Sequence, residues 1–291
     1  MPTIKKQGNV KIIECPRDAM QGILDFIPSQ IKIDYLNSLL KVGFHTIDCG
    51  SFVSPKAIPQ MVDTQKVLDN LDMDSTDTKL SVIVANERGA NDAVKHNQVT
   101  YLGFPFSISE TFQKRNTKKS IKESVEVVKR ISNLCGEFSK EMVVYISMGF
   151  GNIYNEDWNE NIVADWVDKL HTIGVQHFSI SDTVGLSHKA TISAVFSTLF
   201  KSFPEVEFGA HFHTKQSEWR EKVESAYNNG CKRFDGAIKG FGGCPMAKDD
   251  LVGNMPTERL IDYFGFDVLK LKKAPFNEAF SIAEHVFSKY Q

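Results

Sequence analysis

Eight times along this chain a short run rich in β-branched residues is followed by a segment with helical period. Parallel strands need a crossover between them, usually a helix, so this alternation calls for a parallel α/β fold. The strand candidates are Val10–Cys15, Phe44–Cys49, Leu80–Val84, Val99–Phe104, Met142–Ser147, Val175–Ser181, Val206–His211 and Cys231–Ala237. Between them Ile31, Tyr35, Leu36, Leu39 and Leu40 repeat near 3.6 and stop at Gly43. Ile162, Trp166, Val167 and Leu170 repeat likewise and stop at Gly174, and Asn228-Asn229-Gly230 closes the helix before the last strand. Eight βα units in about 240 residues match the usual size of a (β/α)8 barrel. The predicted fold is therefore α/β, a (β/α)8 TIM barrel with an extra C-terminal helix over Ala274–Tyr290. A doubly wound sheet is the alternative, but Gly240-Phe241-Gly242-Gly243 does not fit the phosphate fingerprint of such sheets. There is no Pro/Ser-rich linker and no shift in composition, which predicts one domain over 1–291.

Composition narrows the function. Lys plus Arg number 34 and Asp plus Glu 36, a formal charge of −2, which argues against a nucleic-acid partner. No run approaches the roughly 18 apolar residues of a membrane span. The charged start, Met1 to Lys11, lacks the apolar stretch of a secretory signal. The expectation is a soluble cytoplasmic protein. Five scattered cysteines with no CxxC pair predict neither a disulfide scaffold nor a zinc ribbon.

In a barrel, chemistry collects where the strands end. Here those ends hold Glu14-Cys15-Pro16-Arg17-Asp18, Asp48-Cys49-Gly50-Ser51, Ser181-Asp182-Thr183 and His211-Phe212-His213. Residues i and i+2 of a strand share a face, so His211 and His213 can share one metal while Phe212 packs outward. Otherwise they are two polar residues at a strand end. Asp18, read as the end of strand one, adds a carboxylate, and imidazole plus carboxylate with open positions suits Mg²⁺, Mn²⁺ or Zn²⁺. Asp48 and Asp182 follow apolar stretches, where a carboxylate must be paired, metal-bound or hydrogen-bonded, or must cap the next helix. Cys244 sits in Gly240-Phe241-Gly242-Gly243-Cys244-Pro245, a flexible setting ill suited to a merely buried thiol.

These residues resemble a known family. Glu14 to Gln21 is similar to the first-strand signature of the metal-dependent lyase and Claisen-condensing barrel superfamily. Ser51-Phe52-Val53-Ser54-Pro55-Lys56 with Pro59-Gln60-Met61, and the glycine loop bearing Cys244, resemble the 3-hydroxy-3-methylglutaryl-CoA lyases in particular. Ser181–Gly185 and His211–His213 follow in the same order, and the likeness runs from about Val10 to Glu258. It implies a homodimeric barrel that cleaves 3-hydroxy-3-methylglutaryl-CoA to acetyl-CoA and acetoacetate, as in leucine degradation. It implies a divalent metal, Mg²⁺ or Mn²⁺, held by Asp18, His211, His213 and Asn254. Arg17, Asp48, Asp182 and Cys244 match catalytic positions. Gln21 matches a position near the substrate and Asn116, in the Arg115-Asn116 turn, one near coenzyme A. The chain departs from the pattern at Ala19, where glycine is usual, and at Thr214–Ser217 after the second histidine. The step from Cys244 to Asn254 is one residue longer. A Claisen-condensing acyltransferase using a 2-oxo acid and acetyl-CoA is the alternative from the same superfamily. A zinc hydrolase would carry its HxH pair on the first strand rather than the seventh.

Overall fold

The computed structural model describes residues 9–243 and 252–290. Eight parallel strands run β1 Lys11–Glu14, β2 Thr46–Ser51, β3 Lys79–Ile83, β4 Val99–Ser107, β5 Glu141–Ser147, β6 His177–Asp182, β7 Glu207–Thr214 and β8 Arg233–Gly236. Each pairs with its neighbour in sequence, and β8 returns to β1 through Ile13 opposite Asp235, so the sheet closes on itself. The predicted barrel is present, and every predicted strand has its counterpart, with ends shifted by at most three residues. A ninth short strand, β9 Gly253–Asn254, lies antiparallel on β7 with Asn254 opposite His213.

The helices are α1 Pro16–Gln21, α2 Ser29–Leu40, α3 Thr64–Leu68, α4 Glu87–Ala93, α5 Glu110–Thr117, α6 Ile121–Glu137, α7 Glu160–Thr172, α8 Lys189–Ser202, α9 Trp219–Asn228, α10 Thr257–Phe264, α11 Phe266–Leu269 and α12 Lys273–Lys289. The extra C-terminal helix is α12, and it packs on α2. Sequence dictates these elements locally. In α6, Ser120 and Glu123 form a reciprocal capping box, and Ser124, Val127, Val128, Ile131 and Cys135 recur every three or four residues on the buried face. None of the helices is long and apolar enough to cross a membrane, among the described residues.

The apolar core lies between sheet and helices, not inside the barrel. Between β6, β7 and α8, for example, Phe178 stacks on Phe208 with centroids 6.0 Å apart, and Phe196 and Phe200 extend the cluster. The lumen is polar. Lys11 donates to Glu207 at 2.6 Å, Lys79 meets Tyr101 at 3.2 Å and Ser179 donates to Asp235 at 2.8 Å. Apart from that core, a small cluster of Ile83, Tyr101, Val143 and Tyr145 adds apolar surface on the lumen side. Many barrels instead stack bulky aliphatics there.

Candidate active site

The first functional residues sit not on β1, as the sequence reading had Asp18, but one turn later on α1. Pro16 takes the first helical position, where its missing N–H costs nothing. The turn that follows presents Arg17, Asp18 and Gln21 over the barrel mouth. Arg17 is buried, and its Nε donates to Asp48 Oδ2 at 3.1 Å while Nη2 donates to the same oxygen. Its Nη1 donates to Asp18 Oδ1 and to Gln21 Oε1, both at 2.8 Å. Gln21 in turn donates to Asp18 Oδ1 at 2.8 Å. Burial pushes the Asp18 carboxyl up, but Arg17, His211 and His213 together outweigh it and hold it at about 2. For Asp48, wholly enclosed, burial wins over Arg17 and the carboxyl is raised.

Asp18, His211 and His213 bring their ligand atoms within 4.8 Å of one another. The two imidazoles are oriented from behind. His211 Nδ1 lies 3.2 Å from Asp235 Oδ2 and His213 Nδ1 lies 3.0 Å from the Thr183 carbonyl, which leaves both Nε2 atoms toward Asp18. Burial and the neighbouring His211 drop His213 to about 4, so it is neutral near pH 7. Its Nε2 is buried and meets no hydrogen-bond partner among the described residues. A buried lone pair without a donor, beside an ionised carboxylate and a second imidazole, is what a divalent cation would complete. Asn254 joins from β9, where its Nδ2 donates to Asp18 Oδ2 at 2.7 Å. The glycine segment reaches the same place. Gly242, at φ +81°, lies so close to Asp18 and Ala19 that a Cβ would meet the Asp18 carbonyl at 2.6 Å.

A cavity of about 380 Å³ opens here. Arg17, Asp18, Gln21, His211, His213 and Asn116 line its polar side, and Val53, Ile58, Ile83, Pro105 and Phe112 its apolar side. Asn116 lies in the last turn of α5, not in a loop turn. Asp48 and Asp182 do not line the cavity. Asp182 is buried and accepts from Lys222 Nζ at 2.7 Å, Ser187 Oγ at 2.5 Å and Ser187 N at 3.1 Å. Cys244 lies outside the described residues.

Two partners escaped the sequence reading. Asp235 follows Arg233 by two residues on β8, and that alternation about Phe234 placed it in the lumen beside His211. Lys222 lies in α9 among charged residues of ordinary helical sequence, with no local mark of its burial. It donates to the His213 carbonyl at 2.8 Å as well as to Asp182.

Fold and site together define a (β/α)8 barrel with a candidate divalent-cation centre beside an anchored arginine. The HMGL-like family model matches residues 9–267, and the chain belongs to that family. It is 30% identical over 259 residues to hydroxymethylglutaryl-CoA lyase of Bacillus subtilis, covering 89% of this chain and 83% of that one. It is 29% identical to the cytoplasmic 3-hydroxy-3-methylglutaryl-CoA lyase of Rattus norvegicus, covering 87% and 73%. Among solved structures, the Bacillus subtilis HMG-CoA lyase superposes with a TM-score of 0.87 at 28% identity, over 100% of this chain and 95% of that one. An HMG-CoA lyase from Acinetobacter baumannii in complex with coenzyme A and 3-methylmalate gives a TM-score of 0.87 at 26% identity, covering 96% and 91%.

Proposed function

We propose that this chain is a divalent-cation-dependent carbon–carbon lyase that cleaves 3-hydroxy-3-methylglutaryl-CoA to acetyl-CoA and acetoacetate. The observation that carries this reading is the meeting, in one cavity, of Arg17 and the Asp18–His211–His213 set. Likeness to named lyases over most of the chain supports the substrate and the direction of cleavage over condensation. Asp18, His211, His213 and Asn254 would hold Mg²⁺ or Mn²⁺, which supplies Lewis acidity toward the substrate's hydroxyl oxygen.

Retro-Claisen cleavage passes the proton of a tertiary hydroxyl to a base lining the cavity, Asp18 or His211, breaks a carbon–carbon bond and leaves a thioester enolate. Arg17 keeps its charge at any working pH and faces the cavity from a fixed position, so it stabilises the enolate oxygen as charge develops there. Asp48 acts through Arg17: two donors of the guanidinium are committed to it, which leaves Nη1 on the side of Asp18 and Gln21. Asp182 acts through Lys222 and holds the strand end that carries His213. Both acids are therefore positioning residues. Cys244, which matches a catalytic position of the family, or His211, which lines the cavity, returns a proton to the enolate carbon. Gln21 orients the acyl group, and Asn116 meets the coenzyme A portion. The coenzyme A held by the Acinetobacter baumannii lyase supports that assignment of the cavity.

The reading extends to a homodimer, which sedimentation would check, and to the cytoplasm, where relatives such as the rat lyase are placed by name. The deciding assay is product analysis with purified protein, Mn²⁺ and a panel of 3-hydroxyacyl-CoA thioesters. Equal amounts of acetyl-CoA and acetoacetate are expected from the 3-hydroxy-3-methylglutaryl thioester. Cleavage of another thioester in its place would overturn the substrate, and no cleavage of any would overturn the activity.

A further inference from the structure

His211 has a second side. On it lie Cys15, directly after β1, and Asp235 on β8, and a thiol sulfur, an imidazole nitrogen and a carboxylate oxygen come within 4.8 Å of one another. Cys15 and Asp235 are 1% and 2% exposed. Asp235 Oδ2 takes Ser179 Oγ and faces His211 Nδ1, but Oδ1 is buried with no hydrogen-bond partner among the described residues. Among the described residues Cys15 Sγ makes only a long hydrogen bond, 3.6 Å, to the Ile13 carbonyl. Burial and then the charges of Asp235, Asp48 and Asp18 hold the thiol in its protonated form, and the same negative surroundings favour a cation. Thiolate, imidazole and carboxylate together select a soft or borderline metal, whereas Mg²⁺ and Mn²⁺ favour oxygen-rich sets.

We propose that Cys15, His211 Nδ1 and Asp235 form a second cation site, specific for thiophilic metals such as Zn²⁺ and Cd²⁺, that disables the first by taking its shared histidine. The inference rests on the Asp18–His211–His213 reading only for its inhibitory half. On binding, the S–H bond breaks, the metal–sulfur bond forms and the thiol proton leaves to solvent. A neutral imidazole has one N–H and one lone pair. Donation from Nδ1 to the inner metal moves the ring proton to Nε2, which turns that atom from an acceptor facing Asp18 and His213 into a donor. The outer set then lacks one of its ligands, so the two sites cannot be filled together.

The test titrates Cd²⁺ into the Mn²⁺-loaded full chain. Two signals are read: the ultraviolet cadmium–thiolate charge-transfer band and free Mn²⁺ by electron paramagnetic resonance. A Cys244→Ser background silences the loop thiol. One equivalent of Cd²⁺ is expected to raise the band and release Mn²⁺ in step. Cys15→Ser and, separately, Cys15→Ala are expected to bind Mn²⁺ as before, to lose the band and to need at least about tenfold more Cd²⁺ to release Mn²⁺. A band that survives both substitutions, or no band at all, overturns the site. A Cys15-dependent band without Mn²⁺ release overturns the inhibition. If the native chain binds no Mn²⁺, the outer reading fails, while the Cys15-dependent band still decides the inner one.

Discussion

Arg17 Nε and Nη2 both point at one carboxylate oxygen of Asp48, across 31 residues of sequence and two adjacent strands' ends. A guanidinium held this way cannot rotate about its own plane, so Nη1 has a fixed direction. Arg17→Gln removes the charge from the cavity, and kcat should fall by about 10²-fold or more, with a smaller change in KM. Asp48→Asn keeps Arg17 but loosens it, and a loss of about 10-fold is expected, the size of one weakened charge-assisted hydrogen bond. Steady-state kinetics on both variants checks the order. Equal turnover of native protein and Arg17→Gln would contradict the role.

Metal removal is the second expectation. Excess chelator should abolish cleavage, and Mg²⁺ or Mn²⁺ should restore it. His213→Ala deletes one of the four proposed ligands, and Mn²⁺ affinity is expected to drop at least about 100-fold, more than loss of an outer partner costs. Titration of Mn²⁺ followed by its electron paramagnetic resonance signal gives the affinity without any assay of turnover. Undiminished Mn²⁺ binding in His213→Ala would remove that histidine from the centre.

The Lys222–Asp182 pair makes a prediction about stability. Both side chains are almost wholly enclosed, at 2% and 1% exposure. Removing one partner leaves an uncompensated buried charge, so Lys222→Met should cost about 3–5 kcal/mol in urea unfolding. Adding Asp182→Asn removes the stranded charge and should recover part of that loss. A double variant less stable than Lys222→Met alone would show that the pair does not act as a unit.

Glu14 supplies the pH dependence. Its carboxyl is fully enclosed, accepting from Thr257 Oγ1 at 2.5 Å and Ile238 N at 2.9 Å. Burial outweighs both bonds and raises it from 4.5 to about 8. The folded state therefore keeps a proton that the unfolded chain releases. This contribution to stability is complete below pH 4.5 and declines as pH rises to about 8, where it is gone. Glu14→Gln should flatten that decline, so its unfolding midpoint relative to native protein should be higher at pH 8 than at pH 5. Parallel pH profiles for the two proteins would rule out Glu14 as the source.

What the sequence made legible follows from the reach of its signals. Alternation of β-branched runs with helical period gives strand order in a closed parallel sheet, because each crossover returns to the neighbouring strand. His211 and His213 were readable because a period of two puts them on one face. Asp18 was assigned to a strand although Pro16 had already begun a helix, and the backbone turn there moves its carboxylate over the mouth. Asp48 and Asp182 were readable as acids that must be paired, metal-bound, hydrogen-bonded or capping, with catalytic positions implied by resemblance. Their partners, Arg17 and Lys222, lie 31 and 40 residues away, and separation along the chain carries no trace of which residue does the pairing. Asp235 was within reach, since Arg233 and Asp235 flank Phe234 on the inward side of a strand. Lys222 was not, because a lysine in an amphipathic helix normally snorkels to water.

Because most of the packed hydrocarbon of this barrel lies outside its wall, the polar interior carries little of the burden of cohesion. A change of side chain there leaves the oily shell of Phe178, Phe196 and Phe208 intact. Yet lumen charges are matched to polar partners on different strands, as Lys11 is to Glu207 across 196 residues and Lys79 to Tyr101. Drift toward a new chemistry in such a tube would proceed by exchange of whole partnerships rather than of single residues. Relatives with altered specificity should therefore differ in the lumen by correlated sets of positions, while their outer shells vary one position at a time.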